Sequence, residues 1–383
     1  MGTSARIQAL ATAVPPVVLN QDEVRDVFAG QPGLSRLAQR LLGAAFNSSG
    51  IETRHTVLEE LQLDRRSADP RFFDGDSGRL LAPSTKVRND LYITEATRLF
   101  VETAREALES CPGIRAADVT HVVTVSCTGF FAPGPDYMLV RELGLSPAAQ
   151  RYHLGFMGCY ASMPALRLAK SFCDADPNAV VLVVSVELCT LHVRSSNDSD
   201  QIIASSLFSD GAGAAIVSAR DVGARGPQLQ LDAFETIITP VGEGDMAWTI
   251  GDEGFEMVLS TYVPQIIDEH VTDALQPLFA HEDGAHEHPA ASIRHWAIHP
   301  GGRSILDKVE TRMELEPAQL RASRDVLRDF GNMSSATILF VLQNVLEAAG
   351  DDAAGDTDRV VAMAFGPGLT VETALMTVLR GER

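Results

Sequence analysis

Apolar runs and helical patterns alternate along the whole chain. Continuous apolar runs at 120–130, 178–188 and 211–219 predict buried strands, because a strand covered on both faces loses its polar alternation. Apolar residues at helical spacing predict helices over 20–28, with Asn20 as the N-cap, and over 92–110. This alternation of element types is typical of an α/β fold.

The second part of the chain repeats the style of the first. It has apolar segments at 292–302, 336–350 and 358–379, and a helical pattern from about Ser304. The two parts meet near 219–228, which predicts an N-terminal domain over 1–222 and a C-terminal domain over 223–383.

The composition excludes several classes of protein. Among 383 residues, 31 Lys and Arg face 51 Asp and Glu, so the formal charge of −20 argues against nucleic acid and anionic membrane surfaces as general partners. A few local Arg residues could still bind one phosphate group. No run of about 18 apolar residues predicts a membrane anchor, and the start of the chain lacks the apolar core of a signal peptide. We expect a globular protein in the cytoplasm.

Cysteine, histidine and asparagine residues supply the candidate chemistry. The 5 Cys form no CxxC pair, which favours free thiols in a reducing compartment. Cys159 begins a helical pattern, and a helix N-terminus lowers the pKa of a thiol; a buried structural Cys is the alternative. His299 ends a predicted strand in WAIHPGG, and Asn332 precedes a helix capped by Ser334 or Ser335. A structural His and an N-capping Asn are the alternatives for these two. Together the three residues suit covalent acyl transfer.

Motifs around these residues carry a resemblance to a known family. They are GCYA at Cys159, HPGG at His299, GNMSSA at Asn332, FGPGLTVET at 365–373, PGPDYMLVRELGL at 133–145 and LFSDGAGAAIV at 207–217. From about residue 85 to the C-terminus, in the same order, the chain resembles the chalcone synthase-like, or type III polyketide, synthases of bacterial type.

The resemblance implies a thiolase-like αβαβα five-layered double domain that forms a homodimer. It implies that Cys159 accepts an acyl group from an acyl-CoA starter. His299 and Asn332 would bind malonyl-CoA and stabilise the enolate that forms when CO₂ leaves. A Claisen condensation and ring closure would then give a pyrone, a resorcinol or another polyphenol. No metal or other cofactor is implied, because CO₂ loss drives the reaction and the CoA thioesters are substrates. The alternative is a ketoacyl synthase III-like enzyme that makes a single condensation; HPGG and GNMSS favour the polyketide group.

The resemblance also implies a set of pocket residues. Phe208 matches the gatekeeper Phe between the CoA tunnel and the cavity, and Ser334 matches a pocket Ser. The departures from the plant pattern are Cys127 and Cys189 in place of Thr, His192 in place of another Thr, Trp248 in place of Gly, Met257 in place of a second gatekeeper Phe, and Ala132 in place of a Met that reaches across the dimer. Trp248 and His192 would shorten the cavity, whereas Ala132, Cys127 and Met257 could open a tunnel for an acyl chain. We expect Cys127 and Cys189 to be wall residues rather than further nucleophiles.

The basic residues before position 60 are the candidates for CoA binding. They are Arg36, Arg40 and Arg54, since a guanidinium suits phosphate; an exposed solvated face is the equal alternative. His281, His286 and His288 could mimic a metal site, but no suitable ligand framework surrounds them, and an exposed loop is the favoured interpretation.

Overall fold

The elements of the fold follow the predicted alternation. The computed structural model describes residues 4–62, 66–222, 226–282, 288–351 and 357–380. Strands run over Arg6–Ala13 (β1), Val17–Asn20 (β2), Thr53–Thr56 (β3), Phe73–Asp74 (β4), Arg79–Leu80 (β5), His121–Ser126 (β6), Gln150–Gly155 (β7), Val180–Leu188 (β8), Asp210–Ser218 (β9), Gln228–Ile238 (β10), Met246–Gly251 (β11), Gly254–Leu259 (β12), His295–Ile298 (β13), Thr357–Gly366 (β14) and Thr370–Leu379 (β15). Helices run over Gln21–Ala29 (α1), Arg36–Ser48 (α2), Thr85–Glu109 (α3), Pro135–Glu142 (α4), Ser162–Ala175 (α5), Ser199–Leu207 (α6), Val263–Phe279 (α7), Pro289–Ser292 (α8), Arg303–Arg312 (α9), Arg321–Phe330 (α10) and Thr337–Asp351 (α11).

The long strands pair into one continuous sheet in the order β13-β14-β15-β10-β1-β9-β8-β6-β7. Strand β1 joins the two halves, because it pairs with β9 on one side and with β10 on the other, where Arg6 lies opposite Gln230. The strands of the first half and those of the second half therefore belong to one hydrogen-bonded sheet.

Alternating side chains of the strands separate the core into layers. Along β8, Val181 and Val183 pack towards α5 and α11, whereas Leu182 and Val184 pack towards α3. The strands of the second half also pack against helices on both faces, with α5 and α11 on the inner face and α7 and α9 on the outer face. Successive strand residues point to opposite faces of a sheet, so the order is helix, strands, central helices, strands, helices. This is the predicted five-layered arrangement.

The predicted elements are largely confirmed. The runs at 120–130, 178–188 and 211–219 contain β6, β8 and β9, and Asn20 caps α1 by accepting a hydrogen bond from the main-chain N–H of Asp22. Helix α3 begins at Thr85, earlier than the predicted 92, because its first turns are polar and escape the apolar pattern. The segment 358–379 is a pair of strands, β14 and β15, that turn at the Gly-Pro-Gly sequence 366–368.

Three further expectations concern the connections and the surface. The predicted boundary between 222 and 223 lies at the edge of a stretch outside the described residues, and His286 lies outside them as well. His281 faces Glu235 at 3.1 Å, and no group of three or more potential metal ligands occurs in the described ranges. None of the helices in the described part of the chain combines the length and the apolar character needed to cross a bilayer.

Candidate active site

Cys159 lies in a tight turn just before helix α5. Gly158 precedes it with a φ of +84°, and a Cβ at that position would stand 2.6 Å from the Cδ of Pro367. Gly366 is equally required, because a Cβ there would meet the ring of Tyr160 at 1.9 Å. Glycine alone allows these two loops to approach so closely. The turn between β14 and β15 therefore fixes the position of the Cys159 sulfur.

His299 follows directly after strand β13. Its main-chain N–H donates to the carbonyl of Met363 at 2.8 Å, which extends the parallel pairing of β13 with β14 by one residue. The side chain is only 1% exposed, and neither ring nitrogen has a hydrogen-bond partner among the described residues. Buried polar atoms are usually paired within the protein. The imidazole of His299 is therefore free to bond a group that enters the cavity.

Asn332 stands between helix α10 and the single turn Ser334–Ala336 that precedes α11. Its side-chain Oδ1 accepts the main-chain N–H of Ser334 at 2.9 Å, and its Nδ2 lies 3.4 Å from the carbonyl of Gly301. The first bond is the capping role that the sequence analysis held open as an alternative. It also fixes the plane of the amide, so that the NH₂ group faces the loop after His299. The structural and chemical roles of Asn332 are compatible.

Cys159, His299 and Asn332 line one chamber. It is closed by Cys127, Ser334, Phe365 and Pro367 among others, and its free volume is about 40 Å³. That volume holds a few water molecules. The structure thus brings the three residues that the sequence singled out to one small, largely apolar cavity.

Burial keeps both the thiol and the imidazole neutral. Desolvation raises the pKa of Cys159 to about 12, against hydrogen bonds from Ser334 and Asn332 that lower it. Desolvation lowers the pKa of His299 to about 3. The start of α5 was expected to lower the thiol pKa. Desolvation outweighs that effect, because burial penalises the thiolate more than the helix stabilises it. A neutral imidazole can act as an N–H donor or can accept the thiol proton.

A buried carboxylate lies behind the chamber. The Oε2 of Glu187 accepts the main-chain N–H of Cys127 at 3.0 Å and the hydroxyl of Thr128 at 3.0 Å, and its Oε1 accepts the hydroxyl of Ser335. The Cys127 thiol lies 3.3 Å from Oε1 and 3.4 Å from the Ser334 hydroxyl. Burial raises the pKa of the Glu187 carboxyl. The Cys127 side chain is thus a buried, hydrogen-bonded wall residue.

An aromatic cluster lies beside the chamber, and its Trp248 side chain lines it. The ring of His192 stacks on Phe255 at 4.1 Å between centroids, and Trp248 meets both rings edge to face. The Nδ1 of His192 accepts the main-chain N–H of Phe255 at 3.0 Å, so Nε2 carries the proton and donates to the carbonyl of Thr128 at 2.8 Å. Desolvation lowers the pKa of His192 to about 3. The imidazole is therefore a neutral, fixed wall.

A second cavity of about 350 Å³ adjoins the chamber. Cys189, Phe208, Trp248 and Met257 line both spaces, so these side chains form the partition between them. Apolar residues of β2, α1 and α6 line much of the rest of the larger cavity. Its size falls in the range of small-molecule sites, roughly 300–1,000 Å³. Four predicted pocket residues thus lie at the boundary between the two spaces, while Cys127 and Ser334 line the small chamber and His192 lines the larger cavity.

Three predicted residues, Arg36, Arg40 and Ala132, do not line either of these cavities in the described part of the chain, whereas Arg54 lines the larger one. Arg36 and Arg40 are exposed on helix α2, and Ala132 is exposed on the loop before α4. Ala132 does not occur among the described residues that line the two cavities of the single chain. Arg54 is buried, at 4% exposure, and bonds main-chain carbonyls rather than facing solvent. A surface contact with a CoA phosphate is therefore not assigned to Arg54.

Glu187 and the contacts of Arg54 were not predicted from the sequence. Glu187 is a lone carboxylate at the end of the strand VVLVVSVEL, all of whose residues are buried. A charged residue within such a run is almost never fully buried unless it is paired. The single carboxylate in an apolar run was therefore the signal that could have identified Glu187 as a buried, hydrogen-bonded residue. For Arg54 the sequence offers no comparable signal, because its partners are carbonyls about 150 positions further along.

Comparisons with known proteins match this chain over nearly its whole length. Residues 2–221 match the family described as chalcone and stilbene synthases, N-terminal domain, and residues 230–380 match the C-terminal domain of the same family. Bisdemethoxycurcumin synthase of Oryza sativa subsp. japonica is 34% identical over 382 residues, which cover 97% of this chain and 92% of the relative.

Solved structures show the same fold. PKS-I from the brown alga Ectocarpus siliculosus superposes with a TM-score of 0.88 at 27% identity, covering 100% of this chain and 99% of that one. The C-terminal type III polyketide synthase domain of Steely1, a type I/III hybrid from Dictyostelium, gives a TM-score of 0.87 at 25% identity, covering 99% and 100%.

Proposed function

The chain belongs to the chalcone and stilbene synthase family and is a type III polyketide synthase, and from this premise we propose that Cys159, His299 and Asn332 are its catalytic residues. The support for this proposal is that the three side chains share one buried chamber. The single observation that carries it is the imidazole of His299, which is buried beside a thiol and a fixed amide and whose ring nitrogens have no partner within the part of the chain that the structure describes.

The first step is the loading of the starter. The sulfur of Cys159 attacks the carbonyl carbon of an acyl-CoA thioester while its proton passes to the neutral imidazole of His299. The bond between the carbonyl carbon and the CoA sulfur breaks, and CoA leaves as the thiol after taking the proton from His299. The acyl group then remains as a thioester on Cys159.

The second step is the decarboxylation of malonyl-CoA. The Nε2–H of His299 and the Nδ2–H of Asn332 donate hydrogen bonds to the thioester carbonyl of the malonyl group. When CO₂ leaves, the electron pair of the broken C–C bond forms an enolate, and the two donors stabilise its oxygen. The enolate carbon attacks the acyl carbonyl on Cys159, and the Cys159 sulfur leaves. Loss of CO₂ supplies the driving force, and we propose that no metal or redox cofactor takes part.

The chain that grows needs more space than the chamber offers. A free volume of about 40 Å³ accommodates the reacting carbons, whereas the adjoining 350 Å³ can hold an acyl chain or a ring. We propose that the starter and the extended chain pass the partition at Phe208 and Met257 into the larger cavity. Repeated condensation and ring closure would give a pyrone, a resorcinol or another polyphenol. The small chamber also favours a second candidate, a single condensation of the ketoacyl synthase III type.

Further assignments complete the proposal. Arg36 and Arg40 are exposed and can contact CoA phosphates.

A homodimer is supported by strand β7 (Gln150–Gly155), which lies at the end of the described sheet with β6 beside it. An edge strand offers unpaired main-chain groups to a second copy of the chain. The cysteines at 111, 127, 159, 173 and 189 are free thiols, as suits a protein of the reducing cytoplasm.

One experiment tests the proposal. The protein is incubated with malonyl-CoA and a panel of short-chain, aromatic and long-chain acyl-CoAs, and products and protein are analysed by mass spectrometry. We expect an acyl adduct on the wild type, none on Cys159→Ala, and products extended by several malonyl-derived units. Product formation by Cys159→Ala would overturn the mechanism. Products with one added unit would favour the single condensation, and a parallel assay with malonyl carrier protein identifies the donor.

A further inference from the structure

Arg54 is a buried cation at the end of helix α6. Its Nη1 donates to the main-chain carbonyls of Ser205 and Phe208, both at 2.8 Å. Its guanidinium carbon lies 5.5 Å from the centre of the Phe46 ring. The last carbonyls of a helix lack partners within the helix and carry partial negative charge. Arg54 therefore fixes the last turn of α6 from strand β3, which is far away in the sequence.

The guanidinium keeps its charge in spite of burial. Desolvation lowers the pKa of Arg54 to about 10, while Asp210 raises it. The Nε and Nη2 of Arg54 lack hydrogen-bond partners in the described part of the chain. A buried cation that is incompletely paired destabilises a fold. Its presence therefore indicates a benefit other than stability.

The turn that Arg54 fixes is bonded to the catalytic amide. The main-chain N–H of Asn332 donates to the carbonyl of Leu207, and the N–H of Ser209 donates to the carbonyl of Asn332, both at 2.9 Å. Gly331 has a φ of +70°, and a Cβ there would stand 2.9 Å from the Cγ of Arg54. These two main-chain hydrogen bonds form a bridge between the end of α6 and Asn332. Arg54 thus contacts the segments on both sides of this bridge.

We propose that Arg54 is a positioning residue for this enzyme, setting the place of the Asn332 amide and of the Phe208 partition through the last turn of α6. It lines the larger cavity and does not line the chamber of Cys159, His299 and Asn332 as far as the described residues show, and its effect on Asn332 passes through Leu207, Phe208 and Ser209. This inference rests on the proposed function of Asn332 in malonyl-CoA decarboxylation. It goes beyond that proposal because it joins the decarboxylation site and the partition to one buried residue.

The effect on the reaction is selective. Loss of the two carbonyl bonds lets the end of α6 and the attached Asn332 shift, while Cys159 and its glycine turn are held by separate contacts with the 366–367 loop. A misplacement of about 1 Å can cost about a hundredfold in rate. Arg54 should therefore influence the decarboxylation of malonyl-CoA more than the acylation of Cys159.

The test compares these two activities in Arg54→Met. Decarboxylation is measured as the conversion of malonyl-CoA to acetyl-CoA, and acylation as the intact-mass adduct on Cys159, each corrected for the folded fraction by circular dichroism. We expect the ratio of decarboxylation to acylation to fall at least tenfold. An unchanged ratio overturns the inference. If Arg54→Met does not fold, the ratio of decarboxylation to acylation is measured in Arg54→Gln, which keeps one side-chain N–H donor group, and the same two outcomes apply.

Arg88 offers a matched control. It is fully buried, its Nη1 donates to the carbonyls of Leu191 and Val193, it lies over the ring of Phe72, and burial lowers its pKa to about 10 as well. We expect Arg88→Met to lose stability but to keep the wild-type ratio. An equal fall of the ratio in both variants would show a general effect of losing a buried cation and would overturn the inference. Wild-type protein without either activity would instead refute the proposed function itself.

Discussion

The indole Nε1 of Trp248 donates a hydrogen bond to the main-chain carbonyl of Cys127 at 3.1 Å. This bond ties the β11–β12 hairpin to the loop after β6, and it fixes the indole where the chamber and the larger cavity meet. Trp248 also lies opposite Met257 across the hairpin. We therefore expect this one side chain to limit how far a chain attached to Cys159 can extend.

Replacement of Trp248 by Gly should lengthen the products. The variant removes the largest side chain of the partition and joins the chamber to the adjoining cavity, so we expect at least one further extension by malonyl-CoA. Liquid chromatography with mass spectrometry of the products measures the change. Trp248→Phe keeps most of the bulk and should stay close to the wild type. An unaltered product profile in Trp248→Gly would show that the indole does not limit chain length.

His299→Gln and Asn332→Ala should impair decarboxylation more than loading. Each variant removes or displaces one donor to the enolate oxygen, and loss of such a donor typically lowers the rate by about 10²–10³, or roughly 3–4 kcal/mol. The assay follows acetyl-CoA formation from malonyl-CoA beside the acyl adduct on Cys159. Equal losses of the two activities would contradict the division of roles.

Gly158→Ala should disable the nucleophile. The added Cβ would stand 2.6 Å from Pro367 in a turn with a φ of +84°, so the loop that carries Cys159 must shift. We expect acylation to slow by on the order of a hundredfold, since small misplacements of reacting groups have effects of that size. The adduct is followed by intact mass over time.

Gly144→Ala provides the control for Gly158→Ala. Gly144 also has a positive φ, +64°, but no atom of the described segments, its own chain neighbours aside, lies within 4 Å of the added Cβ. It should therefore lose about 1–2 kcal/mol of stability from backbone strain alone and keep the wild-type acylation rate. Similar rates in the two variants would show that contact with Pro367 does not position Cys159.

Acid should destabilise the protein through His192. Burial lowers the pKa of its imidazole to about 3, so the unfolded chain, with an ordinary pKa near 6.5, takes up the proton first. The contribution of His192 to stability is therefore constant above pH 6.5 and falls by about 1.4 kcal/mol for each pH unit between 6.5 and 3. Urea unfolding at pH 7.5 and pH 5.0 measures this loss. His192→Gln should lose less stability between the two pH values, and an identical loss would contradict the assignment.

The sequence predicted the parts of the fold that depend on local pattern. Strands β6, β8 and β9 are buried on both faces and therefore lack polar alternation, which makes them recognisable. The first turns of α3 were not predicted, because their polar residues, including the fully buried Arg88, hide the helical period. The pairing of β1 with both β9 and β10 could not be read from spacing, because register is set by tertiary packing.

The candidate site was predictable only in part. Cys159, His299 and Asn332 stand beside element ends rich in glycine, which marks them as loop residues that can carry function. That they share one chamber followed from the resemblance to a family, not from their spacing. The sizes of the two cavities depend on rotamers of Trp248 and Phe255 that no pattern encodes. The Arg54 contacts join distant segments and were hidden for the same reason.

The bridge between Leu207, Ser209 and Asn332 has a consequence for recombination between relatives. It crosses from the first half of the chain to the second, so the amide proposed to act in decarboxylation is held by main-chain groups of the half that carries the nucleophile. A chimera that takes its first half from one synthase and its second half from another could fold well in each part. Its Asn332 amide would be correctly placed only if the residues that form this bridge in the two parent proteins fit each other. Compatibility at the bridge, rather than overall sequence similarity, would then decide which hybrids are active.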